Sequence, residues 1–338
     1  MIQSPYLLFL GDAPDIATAK TAAGIRQWRP ALCAGQLRLP GCQVDLGLPE
    51  MMPAQAVSNG VRTMILGIAN DGGLISPNWI ASLVEALQAG LDVASGLHEP
   101  LAGVPDIAAA ARQAGRQLIE VRQPRQSFAP GTGRKRSGMR LLTVGTDCAV
   151  GKKYTALAIE EELRSRGLAA DFRATGQTGI FIAGRGVAVD SVVSDFVSGA
   201  AEWLTPDAAP SHWDVIEGQG SLFHPAYAGV TLGLIHGSQP DALVLCHDPA
   251  RREIADYPGF AIPSCDTAFE TYLGAARLTN PAARFVGVCL NTSQLEETDA
   301  RRALADLAKR TALPCCDPIR TGVASIVDRL IHARAFPP

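Results

Sequence analysis

The chain has 338 residues, 47% of them hydrophobic, with a formal net charge of −3 and a pI near 6.1. This is apolar material for sizeable cores over a length suited to two domains, and the slight acidity gives no reason to expect a nucleic-acid partner. No stretch approaches the ~18 uninterrupted apolar residues of a membrane span. The opening Met1-Ile2-Gln3-Ser4-Pro5 lacks the basic region and long apolar stretch of a secretion signal. The eight cysteines form no C-x2-C pair, so neither a zinc site nor a disulfide framework is indicated. The expectation is a cytoplasmic protein with small-molecule chemistry, no membrane or nucleic-acid partner and no metal.

In chain order, Tyr6 to Leu10, Thr63 to Ala69, Leu91 to Ser95 and Gln117 to Val121 read as strands, and Ile80 to Ala89 and Ile107 to Ala114 as helices. Pro77 and Pro105 are helix-start signals. Alternating strand and helix predicts a mainly parallel sheet, a Rossmann-like domain over 1–122. Residues 123–138, rich in Pro, Gly, Ser and basic side chains, read as a solvated linker. A phosphate clamp at Arg134 to Arg136 is the other reading of the same basic residues. A second α/β domain is expected over 139–338. Its strands fall at 140–145, 169–174, 213–217, 241–246, 284–290 and 311–315, and its helices at 153–166, 190–201, 267–277 and 298–310.

The most informative segment follows the first strand of that domain. Gly145-Thr146-Asp147-Cys148-Ala149-Val150-Gly151-Lys152 joins an apolar strand to an Ala/Leu/Glu-rich helix, the layout of a phosphate-binding P-loop. Backbone N–H groups, the helix N-terminus and the Lys152 ammonium together favour an anion there. The pattern departs from Gly-x4-Gly-Lys-Ser/Thr at both ends. Thr146 stands where the first Gly is usual, with Gly145 one residue early, and Lys153 where a Mg²⁺-ligating hydroxyl is usual. A phosphate cradle is supported; metal-assisted nucleotide cleavage is not.

In open parallel sheets, ligands gather at the carboxyl edge of the strands. The residues that follow the remaining strands are Thr175-Gly176-Gln177-Thr178-Gly179, Glu217-Gly218-Gln219-Gly220-Ser221-Leu222-Phe223-His224, His247-Asp248-Pro249 and Asn291-Thr292-Ser293. Glu217 ends a buried strand, where an unserved carboxylate is costly. His224 and His236 are further candidate bases, each also compatible with a packed, hydrogen-bonded histidine. Thr178, Gln219 and Ser221 are candidate substrate contacts, and Asn291 a cofactor contact. Asp190 and Asp195 near a predicted helix start suit either a metal or a cap. In the first domain, Asp71-Gly72-Gly73 and Ser95-Gly96-Leu97-His98-Glu99 follow strands. His98 is therefore a substrate-binding candidate, and the domain either covers the second domain's site or scaffolds a homo-oligomer.

Two resemblances are carried by these residues. The P-loop with Glu217-Gly218-x-Gly220 resembles dethiobiotin synthetase. That likeness implies an ATP-dependent ligase or kinase-like enzyme, with Glu217 and Asp190 on Mg²⁺ and Lys152 at the γ-phosphoryl group. A wider set runs through both domains: Ser95 to Glu99, Gly145 to Lys152, Ala174-Thr175-Gly176-Gln177-Thr178-Gly179, Val189-Asp190-x-Val192-x-x-Asp195-Phe196, Ile216 to Leu222 with His224-Pro225, and Gly237-Ser238-Gln239-Pro240-Asp241. In this order they resemble the D-glutamate N-acetyltransferase family. The resemblance implies a P-loop fold without nucleotide hydrolysis, and transfer of acetyl from acetyl-CoA to the D-glutamate amine. The P-loop residues Gly145 to Lys153 with Thr155 would then hold the phosphates of coenzyme A, although Tyr154 departs from the small hydroxyl residue expected there. Attack on the thioester needs a general base, for which Glu217, His224 and His236 are the candidates. Gln219 or backbone N–H groups suit the developing oxyanion, and Arg251 or Arg252 the substrate carboxylates.

Overall fold

The computed structural model describes residues 2–124 and 126–332, the side chain of Asp71 apart. Arg125 of the basic segment and the final residues 333–338 of the expected second domain lie outside this range. The chain forms two compact units, one of residues 1–125 with 176–188 and one of residues 126–175 with 189–338.

The first unit is built on a five-stranded sheet of order β2-β1-β3-β4-β5, every pair parallel. Its strands are β1 (Tyr6–Gly11), β2 (Cys33–Arg38), β3 (Thr63–Leu66), β4 (Asp92–Ser95) and β5 (Leu118–Glu120). Its helices are α1 (Lys20–Trp28), α2 (Pro53–Ser58), α3 (Ile80–Ala89) and α4 (Pro105–Ala114). Strands β1, β3 and β4 are buried along their whole length, as parallel strands covered on both faces must be. The four strands and two helices expected from the sequence are present. Strand β2 and helices α1 and α2 were not expected. The β2 sequence Cys-Ala-Gly-Gln-Leu-Arg has no apolar run because it is an edge strand, with only its middle buried.

The second unit carries a six-stranded, all-parallel sheet of order β11-β10-β9-β6-β8-β7. In chain order these are β6 (Met139–Gly145), β7 (Ala170–Arg173), β8 (Trp213–Ile216), β9 (Ala242–His247), β10 (Arg284–Leu290) and β11 (Cys315–Cys316). The helices are α5 (Lys152–Ser165), α6 (Gln177–Ala183, within the first unit, where it packs on α1), α7 (Val197–Leu204), α8 (Ala228–Ser238), α9 (Cys265–Arg277), α10 (Glu297–Thr311) and α11 (Ala324–His332). Three expectations change. The strand expected at 311–315 is reduced to Cys315–Cys316, because α10 runs through Thr311 and stops only at Ala312, in the left-handed region at φ 53°. The helix expected at 190–201 begins at Val197, after two 3-10 turns at 189–191 and 194–196 that carry Asp190 and Asp195, both exposed. Helices α6 and α11 were not expected, and neither was α8. Its sequence is apolar on every side, so no 3.6-residue periodicity marks it, and it packs closely on α7.

The basic segment before β6 is exposed at most of its described positions, as a solvated connector would be, but its last basic side chains are held by protein partners. Arg134 pairs with Asp207 at 2.6 Å and Lys135 with Asp241 at 2.7 Å. Arg136 is buried and donates to the carbonyls of Thr205 and Gly237, both at 2.7 Å. Burial, and then the neighbouring Arg140 charge, push its guanidinium down to about 10. These residues fasten the amino end of β6, the opposite end of the strand from the P-loop.

Candidate active site: an anion cradle at the carboxyl edge

Strand β6 delivers the chain at Gly145, the centre of the sheet, and α5 leaves at Lys152. Between them the backbone must turn through conformations an L-residue rarely adopts. Ala149 (φ 55°) and Gly151 (φ 99°) both take the left-handed region. Alternating right- and left-handed residues aim successive N–H groups into one concavity, the geometry of a backbone nest. The N–H groups of Ala149, Val150 and Gly151 have no protein acceptor among the described residues. Lys152 opens helix α5, where the first N–H groups are unpaired by geometry and the dipole is positive. The Lys152 side chain is buried under the loop, and its ammonium donates to the carbonyl of Asp147 at 2.7 Å. Burial pushes this ammonium down from the usual lysine range.

The loop is fastened from three sides. From below, the Ser221 hydroxyl and the Tyr272 phenol both donate to the Gly145 carbonyl, at 2.8 and 2.7 Å. Burial pushes the Tyr272 phenol up to about 12, so it stays a donor at any working pH. From the side, Gly218 lies against the Lys152 stem, and a Cβ there would strike the Thr143 carbonyl oxygen. From above, Asp147 is fully buried and acts as a hub. Its Oδ1 accepts from Cys148 N–H (2.6 Å), and its Oδ2 accepts from Arg251 Nη1 (2.6 Å) and Ala255 N–H (2.8 Å). Arg251 also donates to the Cys148 carbonyl at 2.8 Å. This is a different task from the substrate-carboxylate role expected of Arg251. Removing one of the two donors to Gly145 tests the underpinning. Tyr272→Phe is expected to lower stability by about 1 kcal/mol, with Ser221 still in place. Urea denaturation reads the change, and an unaltered midpoint would show that the phenol contributes nothing to holding the loop.

The other expected residues are placed as follows. Asn291 follows β10 beside Gly151, its Oδ1 accepting from Ser293 N–H. Thr146 Oγ1 lies 3.0 Å from His247 Nδ1 at the end of β9, and burial pushes that imidazole down. Glu217 is buried just past β8, with Oε2 accepting from Thr175 N–H (3.0 Å) and its carbonyl from the Thr175 hydroxyl (2.6 Å). His224 is also buried, and one of its ring nitrogens lies within 4.8 Å of Cys148 Sγ and of an Asp147 carboxylate oxygen. The donor types of this trio suit a metal ion, but Arg251 already balances the Asp147 charge. Gln219 is half-buried, and its carbonyl accepts from Thr231.

Four expected residues do not face the cradle. The Thr155 hydroxyl is buried against Cys246 Sγ (3.4 Å) in the sheet, so it cannot replace the hydroxyl missing at position 153. Lys153 lies over the Tyr154 ring, its ammonium 5.1 Å from the centroid. The hydroxyl of Ser221 is spent on Gly145 rather than offered to a substrate. His236 sits in the last turn of α8, beside Gly237, whose carbonyl takes Arg136. Helix α8 starts at the carboxyl edge and runs back about 1.5 Å per residue, which leaves His236 at the other end of the sheet. Thr178 and His98 belong to the first unit, where Thr178 bonds Thr21 at 3.2 Å and the exposed His98 packs against Gly73. Tyr272 and the pairing of Asp147 with Arg251 were not singled out from the sequence, and His247 entered only as part of a strand-edge loop. Tyr272 reads there as one more apolar position of an amphipathic helix, and an ion pair 104 residues apart has no local signature.

The family description "Domain of unknown function (DUF1611_C) P-loop domain" matches residues 127–327, and the "DUF1611_N Rossmann-like domain" matches residues 37–124. Among curated proteins, a D-glutamate N-acetyltransferase of Tritonibacter scottomollicae is 50% identical over 98% of this chain and 99% of its own. One from Pseudoalteromonas sp is 46% identical over 97% of this chain and 99% of its own. A crystal structure of a DUF1611 family protein from Anabaena variabilis superposes with a TM-score of 0.86 at 32% identity, covering 98% of this chain and all of that one. With matches over both domains and relatives aligned almost end to end, the chain belongs to the DUF1611 family.

Proposed function

We propose that this protein is a D-glutamate N-acetyltransferase, moving an acetyl group from acetyl-CoA to the amine of D-glutamate. The activity rests on the two full-length relatives that carry that name. The observation within the molecule that supports the donor is the cradle itself. Three consecutive N–H groups without an acceptor among the described residues, a helix N-terminus and Lys152 suit the diphosphate of coenzyme A. A phosphoryl-transfer reading along dethiobiotin-synthetase lines wants a hydroxyl on Mg²⁺ from this turn. Position 153 is Lys, and the Thr155 hydroxyl faces Cys246.

In the reaction the substrate ammonium gives up a proton, its nitrogen attacks the thioester carbonyl, and a second proton passes from that nitrogen to the departing sulfur, so the coenzyme leaves as the thiol. Of the three candidate bases, His236 lies at the far end of the sheet and His224 has Nδ1 occupied by Ala226 N–H. We therefore assign the proton to Glu217, which sits on the strand next to β6 in the register that pairs Ile216 with Leu142. The test is release of CoA thiol on mixing purified protein, acetyl-CoA and D-glutamate. Glu217→Gln, which keeps an acceptor for Thr175 N–H, is expected to lower kcat at least 100-fold with the KM for acetyl-CoA within threefold. Absence of turnover by the parent protein with D-glutamate and other amino acids would remove the assignment.

A further inference from the structure

We infer that His224 is a fourth element of the anion cradle, donating its Nε2–H to a phosphate oxygen of the acetyl carrier. The inference rests on the acetyl-transfer reading above and gives this histidine a binding role in place of the base role expected for it. His224 lies in the turn between β8 and α8 and is 2% exposed. Its ring is stacked on Tyr227 (centroids 4.5 Å apart, 26° between planes) and meets Tyr257 edge-on at 4.9 Å. Two aromatic neighbours fix the plane of the imidazole. Ala226 N–H donates to Nδ1 at 3.2 Å, so Nδ1 is an acceptor and the proton of the neutral ring sits on Nε2. Nδ1 cannot take up a second proton while that N–H faces it, so the ring is poorly placed to act as a base.

Nε2–H has no partner among the described residues. The ring as a whole is buried, but Nε2 itself is not a buried unpartnered atom, so its N–H is open to an incoming acceptor and the surroundings define which one. A ring nitrogen lies within 4.8 Å of Cys148 Sγ and an Asp147 carboxylate oxygen, at the crest of the loop whose next three N–H groups are also without acceptors. The neighbouring carboxylate of Asp147 is already engaged by Arg251, Ala255 N–H and Cys148 N–H. The remaining acceptor of the right charge is the oxyanion that the loop itself is shaped to hold. Phosphate and carboxylate share that chemistry. The carrier's diphosphate is the source proposed here, and the titratable groups that face the ring are Asp147, Cys148, Tyr227 and Tyr257.

The experiment uses the full chain and two variants, His224→Gln, which keeps a donor, and His224→Phe, which keeps the stacked ring without one. For His224→Phe the KM for acetyl-CoA is expected to rise about 10- to 100-fold with kcat within threefold, and His224→Gln to recover most of the loss. With S-acetyl-N-acetylcysteamine, a thioester without phosphates, parent and variants should react alike. Inorganic diphosphate should bind the parent and bind His224→Phe at least tenfold more weakly by calorimetry, a readout that needs no turnover and so separates this inference from the acetyl-transfer reading. A fall in kcat for both variants with loss of the acid limb of the pH profile would restore the base role and overturn the inference. A rise in the KM for D-glutamate alone would give the donor to an acceptor carboxylate and overturn the phosphate assignment. Diphosphate binding equal in all three proteins would reduce His224 to a packing residue.

Discussion

Replacing Lys152 with alanine is expected to weaken acetyl-CoA binding by about 30- to 150-fold, the loss of roughly 2–3 kcal/mol from one charge-assisted hydrogen bond in a desolvated site. The effect follows from where the ammonium sits. It is buried beneath the loop and, among the described residues, donates to the Asp147 carbonyl alone, so a bound phosphate would be the first anion it bonds directly. Burial pushes its proton affinity down, and binding an anion must raise it again, so binding takes up protons at pH values around and above the lowered lysine value. Titration calorimetry at such a pH, in two buffers of different ionisation heat, should therefore give different apparent enthalpies for the parent and equal ones for Lys152→Ala. The affinity of the parent should fall as pH rises through the lowered lysine value. Stability carries the opposite sign. Between that lowered value and the ordinary lysine value the unfolded chain binds more protons than the folded one, so stability rises with pH across this window, and the variant loses that slope. Acetyl-CoA binding unchanged in Lys152→Ala would end the case for a phosphate cradle.

Asp147→Ala should cost about 3 kcal/mol of stability, the low end for breaking a buried ion pair because Arg251 retains 24% exposure. The carboxylate is fully buried and takes three donors from two segments, its own loop and residues 251–255. Without it the Arg251 guanidinium and two N–H groups lose their acceptor together. Asp147→Asn keeps an oxygen for one of them and should lose less than half as much. Chemical denaturation measures both changes. The same loss should appear as weaker acetyl-CoA binding, because the N–H groups of residues 149–151 point into one concavity only while residue 147 is pinned. If Asp147→Ala unfolds at the parent's denaturant concentration, the hub is not what holds the loop in shape.

Much of this architecture is legible from residue order. Buried parallel strands advertise themselves as apolar runs, and the run at 139–145 followed by Gly151-Lys152 locates the cradle without coordinates. Three of the elements that escaped detection share a cause. Helix α8 is apolar on all sides, β2 is a short-patterned edge strand, and α6 begins in a Gly/Thr-rich stretch that reads as a loop. In each, packing against a distant element supplies the stability that local pattern does not announce. The candidate bases divided in the same way. Glu217, His224 and His236 look equivalent as letters, and helix direction and one backbone N–H separate them.

The sequence by itself determined two α/β units, the position of the candidate anion cradle and the absence of a metal-ligating hydroxyl at position 153. Those features depend on spacing within about ten residues, and strand, turn and helix start are local events. Only the tertiary structure decided that Arg134 to Arg136 anchor the sheet, that Arg251 serves Asp147, and that Tyr272 and Ser221 share one carbonyl. Each of those pairings joins residues more than 70 positions apart, and a charge or hydroxyl takes whichever partner the fold brings within 3 Å.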